Sequence, residues 1–145
     1  MKLVIQRVQH AKVVVAGDMI SEIGKGMLIL AGVSKKDEES VVKWLANKLL
    51  NLRIFEDEAG KMNLSIKDIN GEILLVSQFT LYGDCTRGRR PGFDKAALPK
   101  IAEQLFEQLY LEIKNSGINV KKGIFGANMK VSLLNDGPVT FILEK

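Results

Sequence analysis

The sequence runs Met27-Leu28-Ile29-Leu30-Ala31 directly after the closely spaced glycines Gly24 and Gly26. A strand with one face in water alternates polar and apolar residues, whereas an almost unbroken apolar run is typical of a central strand covered on both faces. We therefore predict that residues 27–31 form the middle of a sheet that is sandwiched between other elements.

Short candidate strands surround this run, each rich in β-branched or other apolar residues and bounded by turn residues. They are residues 2–8, 10–15, 19–23, 53–55, 62–66, 72–80, 120–124, 129–134 and 139–143. The turn signals Gly17-Asp18 and Asn70-Gly71 each indicate a hairpin. The amino-terminal third is therefore expected to be hairpin-rich, and a second hairpin pair is expected near residue 70.

Two segments, residues 37–52 and 94–115, repeat their apolar residues with the period of a helix. Acidic residues in the first turn of the first segment suit the helix dipole, and Pro99 lies in the first turn of the second. The two apolar stripes are Val41, Leu45, Leu49 and Leu52, and Leu98, Ala102, Leu105, Leu109 and Ile113. Because no repeat or linker interrupts the chain, we predict one α/β domain spanning residues 1–145.

Composition narrows the possible functions. Of 145 residues, 46% are hydrophobic and 26% are charged, which is typical of an ordinary globular domain. The apolar runs are far shorter than the roughly 20 residues that span a bilayer, and Gln6 and Arg7 interrupt any signal-peptide core. We expect a cytoplasmic protein without a membrane partner. The single cysteine, Cys85, excludes an internal disulfide and a cysteine-rich zinc site, and we expect neither a metal nor a cofactor.

The supply of catalytic side chains is small. His10 is the only histidine, so any serine or cysteine triad would depend on it, although a surface histidine is the commoner role. Cys85 lies among Arg87, Arg89 and Arg90, whose positive charge favours a reactive thiolate. A Cys85-dependent hydrolase of small esters therefore remains an alternative, beside an incidental thiol in a loop.

Two further segments carry candidate chemistry. Ser77-Gln78-Phe79-Thr80-Leu81 ends an apolar strand, where hydroxyls, an amide and backbone N–H groups can converge on a ligand, although local hydrogen bonding is the commoner use of such residues. Gly137-Pro138 interrupts two candidate strands. A proline peptide is cis in only about 5–6% of folded cases, so a tight turn and a plain loop both stay open.

Taken together, Ser77-Gln78-Phe79-Thr80-Leu81 and Asn135-Asp136-Gly137-Pro138-Val139-Thr140 resemble the two signature motifs of the D-aminoacyl-tRNA deacylase family, and both match without a departure. The likeness extends over essentially the whole chain. It includes Gln6-Arg7-Val8, Ala31-Gly32-Val33, Arg89-Arg90-Pro91 and Gly126-Ala127-Asn128-Met129.

This resemblance implies an α/β fold of mixed, barrel-like sheets flanked by two main helices, and a homodimer with active sites at the subunit interface. In the family a cis Gly137-Pro138 pair reaches the partner's site, where its carbonyls meet the substrate's α-amino group and Arg7 orients the loop. Ser77, Gln78, Phe79 and Thr80 are the implied catalytic pocket, and Met129 lies beside the adenosine. The residues that the resemblance implies as structural support for the two motifs are Leu81, Asn135, Val139 and Thr140.

The implied activity is hydrolysis of D-aminoacyl-tRNA, with L-amino acids rejected by the cross-subunit Gly-Pro pair. Glycine, which lacks a Cβ, should be poorly excluded, so glycyl-tRNA is an expected side substrate. The net charge of +4 permits an RNA partner, and Arg87, Arg89, Arg90, Lys121 and Lys122 are candidate phosphate contacts, although solvated surface charge gives the same pattern. A non-catalytic module that binds the RNA acceptor end remains the main alternative.

Overall fold

The structure, a computed structural model, describes residues 1–145. Its strands and helices are β1 (Lys2–Val15), β2 (Asp18–Ile23), β3 (Gly26–Gly32), α1 (Glu39–Leu50), β4 (Phe55–Glu56), β5 (Met62–Leu64), β6 (Glu72–Ser77), α2 (Pro99–Asn115), β7 (Asn119–Lys122) and β8 (Met129–Glu144). A 3-10 turn at Phe79–Tyr82 follows β6. The predicted mixed α/β class with two main helices is confirmed.

Six strands form one strongly curled sheet in the order β2-β1-β3-β6-β7, with β8 paired along the other edge of β1. The pairs made by β1 are antiparallel, whereas β6 runs parallel to β3 and to β7. The sheet's two ends approach each other, because Ser21 Oγ on β2 donates to the Lys122 carbonyl oxygen on β7 at 2.7 Å. Lys121 Nζ on β7 donates to the Glu22 carbonyl oxygen at 2.6 Å. The sheet is therefore nearly closed, as the barrel-like expectation requires.

Successive residues of β3 enter two different apolar cores. Met27, Ile29 and Ala31 pack in the larger core together with the buried faces of α1 and α2. Leu28 points the other way, into a smaller core formed only by residues of the curled sheet. Every residue of β3 except Leu30 is buried. The prediction that this run forms a central strand covered on both faces is confirmed.

Both helices begin later than predicted, each for a local reason. The Asp37 carboxylate accepts a hydrogen bond from the Ser34 backbone N–H at 2.7 Å, which closes a turn before α1 begins at Glu39. The residue before a proline is disfavoured in the helical region, and Leu98 is accordingly extended, so α2 begins at Pro99. Neither helix has the length and apolar character that crossing a membrane requires.

The buried helix faces differ slightly from the predicted stripes. On α1 the face is rotated from the stripe drawn through Val41 and Leu52, which are only partly buried. Leu98 is exposed instead of belonging to the stripe of α2. The buried helical residues are Val42, Leu45, Ala46, Leu49 and Leu50 on α1, and Ala102, Leu105, Phe106, Leu109 and Ile113 on α2.

Some strand boundaries and connections were predicted wrongly. Residues 2–8 and 10–15 form one strand, β1, and residues 129–134 and 139–143 belong to one strand, β8. The hairpin at Gly17-Asp18 is present, and β4 pairs with β5 in a small separate sheet. The two strands that carry the Gly-Pro segment and its support are therefore longer than predicted.

The hairpin expected at Asn70-Gly71 does not form. Asn70 makes a turn with φ of 49°, but β6 then runs parallel beside β3 instead of returning along β5. The reason is burial, since β6 sends Ile73 and Leu75 into the larger core and Leu74 and Val76 into the smaller one. Beside β3, one face of β6 is covered by the larger core and the other by the smaller core, as a strand that is apolar on both faces requires.

Candidate active site

The chain leaves β6 at Ser77 and turns sharply into the 3-10 turn; we call residues 77–80 the strand-end segment. Gln78 still continues the parallel ladder, because its N–H donates to the Ala31 carbonyl oxygen at 2.8 Å. The turn packs closely on Gly32: a Cβ there would lie 3.0 Å from the Gln78 carbonyl oxygen and 3.1 Å from Leu81 Cβ. Glycine at position 32 therefore permits the close approach that fixes the strand-end segment.

Two adjacent backbone donors of the strand-end segment are free. The Leu81 N–H donates to the Gln78 carbonyl oxygen at 3.3 Å, whereas the N–H groups of Phe79 and Thr80 donate to no group of the chain. Gln78 Nε2 donates to Thr80 Oγ1, so the hydroxyl accepts there and keeps its own proton available for another acceptor. Neighbouring donors of this kind can stabilise negative charge that develops on a carbonyl oxygen.

The strand-end segment borders a cleft of about 630 Å³, a volume within the range of small-molecule sites. Ser77, Gln78 and Phe79 form one side, and residues 125–129 line another, including Met129 at the start of β8. Gly123 makes room for Met129, because a Cβ at Gly123 would lie 2.4 Å from its sulfur. The cleft thus brings together most of the pocket residues that the sequence singles out, and Thr80 follows them at its edge.

Asn135-Asp136-Gly137-Pro138-Val139-Thr140, the Gly-Pro loop, bulges out of the ladder between β8 and β1. Asn135 lies opposite Val8 and Thr140 opposite Gln6, so four residues of β8 lie between these two pairs where β1 has only Arg7. The Gly137-Pro138 peptide bond is cis, and both residues are exposed. Asn135 closes the loop: its Oδ1 accepts from the Val139 N–H and its Nδ2 donates to Thr140 Oγ1, both at 2.9 Å.

Arg7 lies beneath the Gly-Pro loop and is only 5% exposed. Its Nε donates to the Asp136 carbonyl oxygen at 3.0 Å, and its Nη1 donates to the Ile54 carbonyl oxygen at 2.8 Å. Nη2 is 3.4 Å from Glu56 Oε1, which balances the charge. The guanidinium therefore ties the backbone of the loop to the β4 region. The pattern of residues alone did not indicate Ile54 and Glu56 as its partners.

Gln9 is a second anchor that the sequence did not reveal. Its Nε2 donates to Asp136 Oδ2 at 2.8 Å, from the same strand that carries Arg7. Two residues apart on a strand, Arg7 and Gln9 share a face, and this spacing was the available signal. The loop is thus held from below at both the backbone and the side chain of Asp136.

Within one chain, the two motifs do not meet. Neither Gly137 nor Pro138 lines the cleft that the strand-end segment borders, and Arg7 does not line it either. The family resemblance implies that the Gly-Pro loop acts at the partner's site. The separation of the loop from the cleft of its own chain is compatible with that role.

The basic segments have different surroundings. Arg87, Arg89 and Arg90 are exposed in residues 85–91, the arginine loop, which is closed by a pair of hydrogen bonds between Asp84 and Gly92 at 2.7 and 2.9 Å. Hydrogen bonds from the hydroxyl and the backbone N–H of Thr86 lower the pKa of Asp84, which keeps this carboxylate ionised at the base of the loop.

Lys121 and Lys122 lie on β7 and do not border the cleft. Lys121 Nζ donates to the Glu22 carbonyl oxygen, and Lys122 contacts the Glu107 carboxylate and lies 4.7 Å from the ring centre of Tyr110. Both ammonium groups thus have partners within the chain. Neither basic segment lines the cleft, although Phe93, two residues after the end of the arginine loop, borders it.

The two alternative nucleophile arrangements lie apart from the cleft. His10 is exposed on a separate groove with Ser21, whose hydroxyl already donates to the Lys122 carbonyl oxygen at 2.7 Å. Cys85 is exposed in the arginine loop and does not line the cleft. No group of three or more His, Cys, Asp or Glu side chains is arranged to hold a metal ion.

Comparisons with known proteins agree over the whole chain. A family model described as D-Tyr-tRNA(Tyr) deacylase matches residues 4–144. A D-aminoacyl-tRNA deacylase of Thermosipho africanus is 56% identical over 144 residues, covering 99% of this chain and 97% of its own length. Similar proteins of the same name occur in Pelobacter propionicus, with 53% identity over 100% of both chains, and in Geotalea daltonii, with 58% identity over 99% and 96%.

Two solved structures share the fold. A protein described as c-Myc DNA Unwinding Element Binding Protein is 42% identical and superposes with a TM-score of 0.94, covering 100% of this chain and 99% of its own. A probable eukaryotic D-amino acid tRNA deacylase superposes with a TM-score of 0.86 over 98% and 97% of the two chains. Its sequence identity is 16%, so that likeness concerns the fold alone.

Proposed function

This chain belongs to the D-Tyr-tRNA(Tyr) deacylase family, and from that premise we propose that it hydrolyses the ester bond between a D-amino acid and its transfer RNA. The products are the free D-amino acid and the transfer RNA, and the working compartment is the cytoplasm. One observation carries the proposal: the Phe79 and Thr80 N–H groups are free at the border of a cleft large enough for a nucleoside ester. No cofactor is required.

In the proposed complex, the terminal adenosine lies in the cleft beside Met129, and the ester carbonyl faces the Phe79 and Thr80 N–H groups. A water oxygen bonds to the carbonyl carbon, and negative charge develops on the carbonyl oxygen, where the two donors stabilise it. The bond to the ribose oxygen then breaks, and a proton from the water ends on that oxygen. One such donor contributes about 2.7–4 kcal/mol to the transition state.

The substrate supplies part of the chemistry. The ester is already activated, and the neighbouring ribose hydroxyl can place the attacking water and relay its proton, so the protein's main task is positioning. Thr80 acts as a positioning group, because Gln78 occupies an acceptor site of its hydroxyl and the histidine lies on another groove. A covalent nucleophile would need an activating base nearby.

Handedness requires a different device, because D and L substrates carry the same chemical groups. We infer that the chain forms a homodimer in which the Gly-Pro loop of one subunit closes the cleft of the other. Its carbonyls meet the substrate's α-amino group, and the rigid main chain leaves no space for an L side chain. Discrimination of about 10³ corresponds to roughly 4 kcal/mol, more than the loss of one methylene contact provides.

Three features support this arrangement. The loop is exposed yet held by Arg7, Gln9 and Asn135, and it does not reach its own cleft. Beside it, β8 pairs only with β1 and exposes Leu134, Phe141 and Ile142, which a second subunit would cover.

Because glycine has no Cβ to exclude, glycyl-tRNA should also be hydrolysed.

The test is release of tyrosine from matched D-tyrosyl-tRNA and L-tyrosyl-tRNA by wild type and Gly137→Ala. A Cβ at Gly137 would lie 2.6 Å from Val139 Cγ2 and 3.1 Å from Arg7 Nη2, and φ there is 131°, so the loop must shift. We expect wild type to release only D-tyrosine and the variant to lose much of this preference. Binding of the RNA without any release of D-tyrosine would identify an RNA-binding module instead.

A matched variant tests the remaining alternative. Cys85→Ala changes an exposed thiol outside the cleft, so D-tyrosyl-tRNA hydrolysis should keep its wild-type rate. Loss of activity in Cys85→Ala would support the cysteine hydrolase and contradict the proposed mechanism.

A further inference from the structure

Two exposed aromatic rings stand together at the border of the cleft. Phe79 is 57% exposed and Phe93 is 38% exposed, and their ring centres are 4.9 Å apart at an angle of 60°. Both residues border the cleft. The proposed hydrolysis uses only the backbone N–H of Phe79, so neither ring has a task in it. Large aromatic side chains left partly in water at the mouth of a site indicate a binding surface.

The backbone around Phe93 is well fixed although the ring is partly exposed. The Asp84 and Gly92 pair holds the preceding residue, and the Ala96 N–H donates to the Phe93 carbonyl oxygen at 3.0 Å. One edge of the ring packs on Gly83, where a Cβ would lie 3.2 Å from Phe93 Cε1. A ring held in this way loses little conformational entropy when a flat partner binds it.

Positive charge close to this ring along the chain indicates the partner's chemistry. The arginine loop ends one residue before Gly92, so its guanidinium groups are carried on the same short segment as Phe93. Arg87, Arg89 and Arg90 form no ion pair within the chain. An exposed aromatic ring next to unpaired positive charge is the combination with which proteins bind single-stranded nucleic acid, by stacking on bases and contacting phosphates.

We propose that Phe93 stacks on the base of the nucleotide that precedes the terminal adenosine of the transfer RNA, while the arginine loop contacts its phosphate. This inference rests on the proposed function, which puts the terminal adenosine in the cleft and leaves the preceding nucleotide at its border. Stacking tolerates any base, so it suits an enzyme that must accept many transfer RNAs with a common single-stranded end. Phe93 is a substrate-binding residue and takes no part in bond breaking.

The experiment compares three substrates: D-tyrosyl esters of adenosine, of the trinucleotide CCA, and of a CCA trinucleotide whose middle nucleotide lacks its base. The enzymes are wild type, Phe93→Leu, which keeps an apolar side chain, and Phe93→Tyr, which keeps the ring. We expect Phe93→Leu to lower kcat/KM on the CCA ester roughly ten-fold and to leave the adenosine ester unchanged. Phe93→Tyr should stay within about two-fold of wild type on both, because the ring face remains.

The substrate without the middle base closes the cycle. For wild type, kcat/KM on this substrate should be roughly ten-fold lower than on the complete CCA ester. For Phe93→Leu the two values should be equal, since the ring that stacks on the base is already missing. Equal slowing of the adenosine and CCA esters by Phe93→Leu would overturn the proposal and leave Phe93 as a packing partner of Phe79. Additive losses from the two changes would overturn it as well.

A binding measurement separates this proposal from the proposed function. Fluorescence anisotropy with a labelled CCA trinucleotide that carries no amino acid should show weaker binding by Phe93→Leu than by wild type and Phe93→Tyr. If wild type hydrolysed none of the esters but this difference in binding held, the deacylase function would fail and the stacking site would stand. Equal binding by all three proteins would reject the stacking site whatever the hydrolysis rates.

Discussion

The Arg7 guanidinium lies directly against Gly137, so that a Cβ on the glycine would lie 3.1 Å from Nη2. From this position Arg7 also donates to the carbonyl oxygens of Asp136 and Ile54. The glycine allows the contact, and the arginine uses it to connect the exposed Gly-Pro loop to the buried side of β1. The position of the loop is therefore a property of the subunit's own packing.

We expect Arg7→Lys to weaken selection for D substrates more than it lowers catalysis. A lysine cannot reproduce the fork of the guanidinium, so one of two carbonyl oxygens loses its donor. Stability should fall by about 1–3 kcal/mol. The ratio of kcat/KM for D-tyrosyl-tRNA and L-tyrosyl-tRNA, with urea unfolding, measures both effects. Arg53→Lys changes an exposed arginine and serves as the control; an unchanged ratio in Arg7→Lys would contradict the role of Arg7.

Gly32→Ala should slow hydrolysis on the order of 10²-fold, because the added Cβ would move the Gln78 carbonyl oxygen and Leu81, and with them the two free N–H groups. Steady-state rates on D-tyrosyl-tRNA check this, with circular dichroism to show that the fold is kept. Gly24→Ala is the control, since its Cβ would meet only the end of the Glu72 side chain at 3.4 Å. If Gly32→Ala kept wild-type rates, the strand-end segment would not need its observed position.

Thr80→Ala should retain measurable activity, with kcat lowered on the order of ten- to a hundred-fold, since a positioning hydroxyl contributes less than a nucleophile. Thr80→Ser keeps the hydroxyl that Gln78 holds and should stay close to wild type. Single-turnover assays measure the rates, and mass spectrometry of quenched wild-type reactions detects any covalent intermediate. A tyrosyl ester trapped on Thr80, together with complete inactivity of Thr80→Ala, would refute the mechanism.

Tyr82 gives a prediction for alkaline pH. Burial, and then the nearby carboxylates of Asp37 and Glu144, raise the pKa of Tyr82 from its ordinary value of 10.0 to about 12. The folded state therefore holds the phenol proton more tightly than the unfolded state, and the associated stability is complete below pH 10 and is lost between pH 10 and about 12.

The free energy of unfolding of wild type should therefore fall more steeply than that of Tyr82→Phe across this interval. Urea titrations at a series of pH values measure both slopes. Tyr110→Phe makes the same change at the only other tyrosine and serves as the matched control. Parallel curves for wild type and Tyr82→Phe would show that this phenol does not couple to folding.

Charge reversal in the arginine loop should weaken binding of aminoacylated transfer RNA. Arg89→Glu and Arg90→Glu together remove two candidate phosphate contacts, so KM should rise and the slope of log KM against log salt should fall by about 1–2. Lys43→Glu makes the same kind of change at an exposed position of α1 and should leave both quantities near wild type. An unaltered KM and salt slope in the arginine variant would remove the loop from the RNA interface.

The central strand and the helices could be predicted because their patterns are local. The run from Met27 to Ala31 has no polar interruption, and the stripe from Ala102 to Ile113 keeps one helical face, so each pattern fits a single environment. The parallel pairing of β6 could not be predicted, because Asn70-Gly71 is a local turn signal while the partner strand is chosen by burial on both faces.

The sequence resemblance indicated several residues that the structure places around one cleft, but it did not indicate their geometry, and their roles in catalysis stay a prediction. The resemblance singled out Ser77 and Met129, and both line the same cleft although they are 52 positions apart. Gln9 shares its strand face with Arg7, but nothing in the sequence near Ile54 or Glu56 indicates that they anchor Arg7, because such long-range contacts leave no periodic trace. Free backbone N–H groups at Phe79 and Thr80 likewise depend on how the turn closes after β6.

The glycines at the two ends of β3 have a consequence for the alignment of the whole sheet. Met27, Ile29 and Ala31 face one core and Leu28 the other, and since both sets are apolar, hydrophobicity alone would tolerate a slip by one residue. Gly26 forbids it, because a Cβ there would lie 1.8 Å from the Glu72 carbonyl oxygen, so neither Lys25 nor Met27 can take its place. Together with Gly32, which packs under Gln78, Gly26 therefore allows only one register between β6 and β3. That register also determines the position along β3 at which Ser77 ends β6.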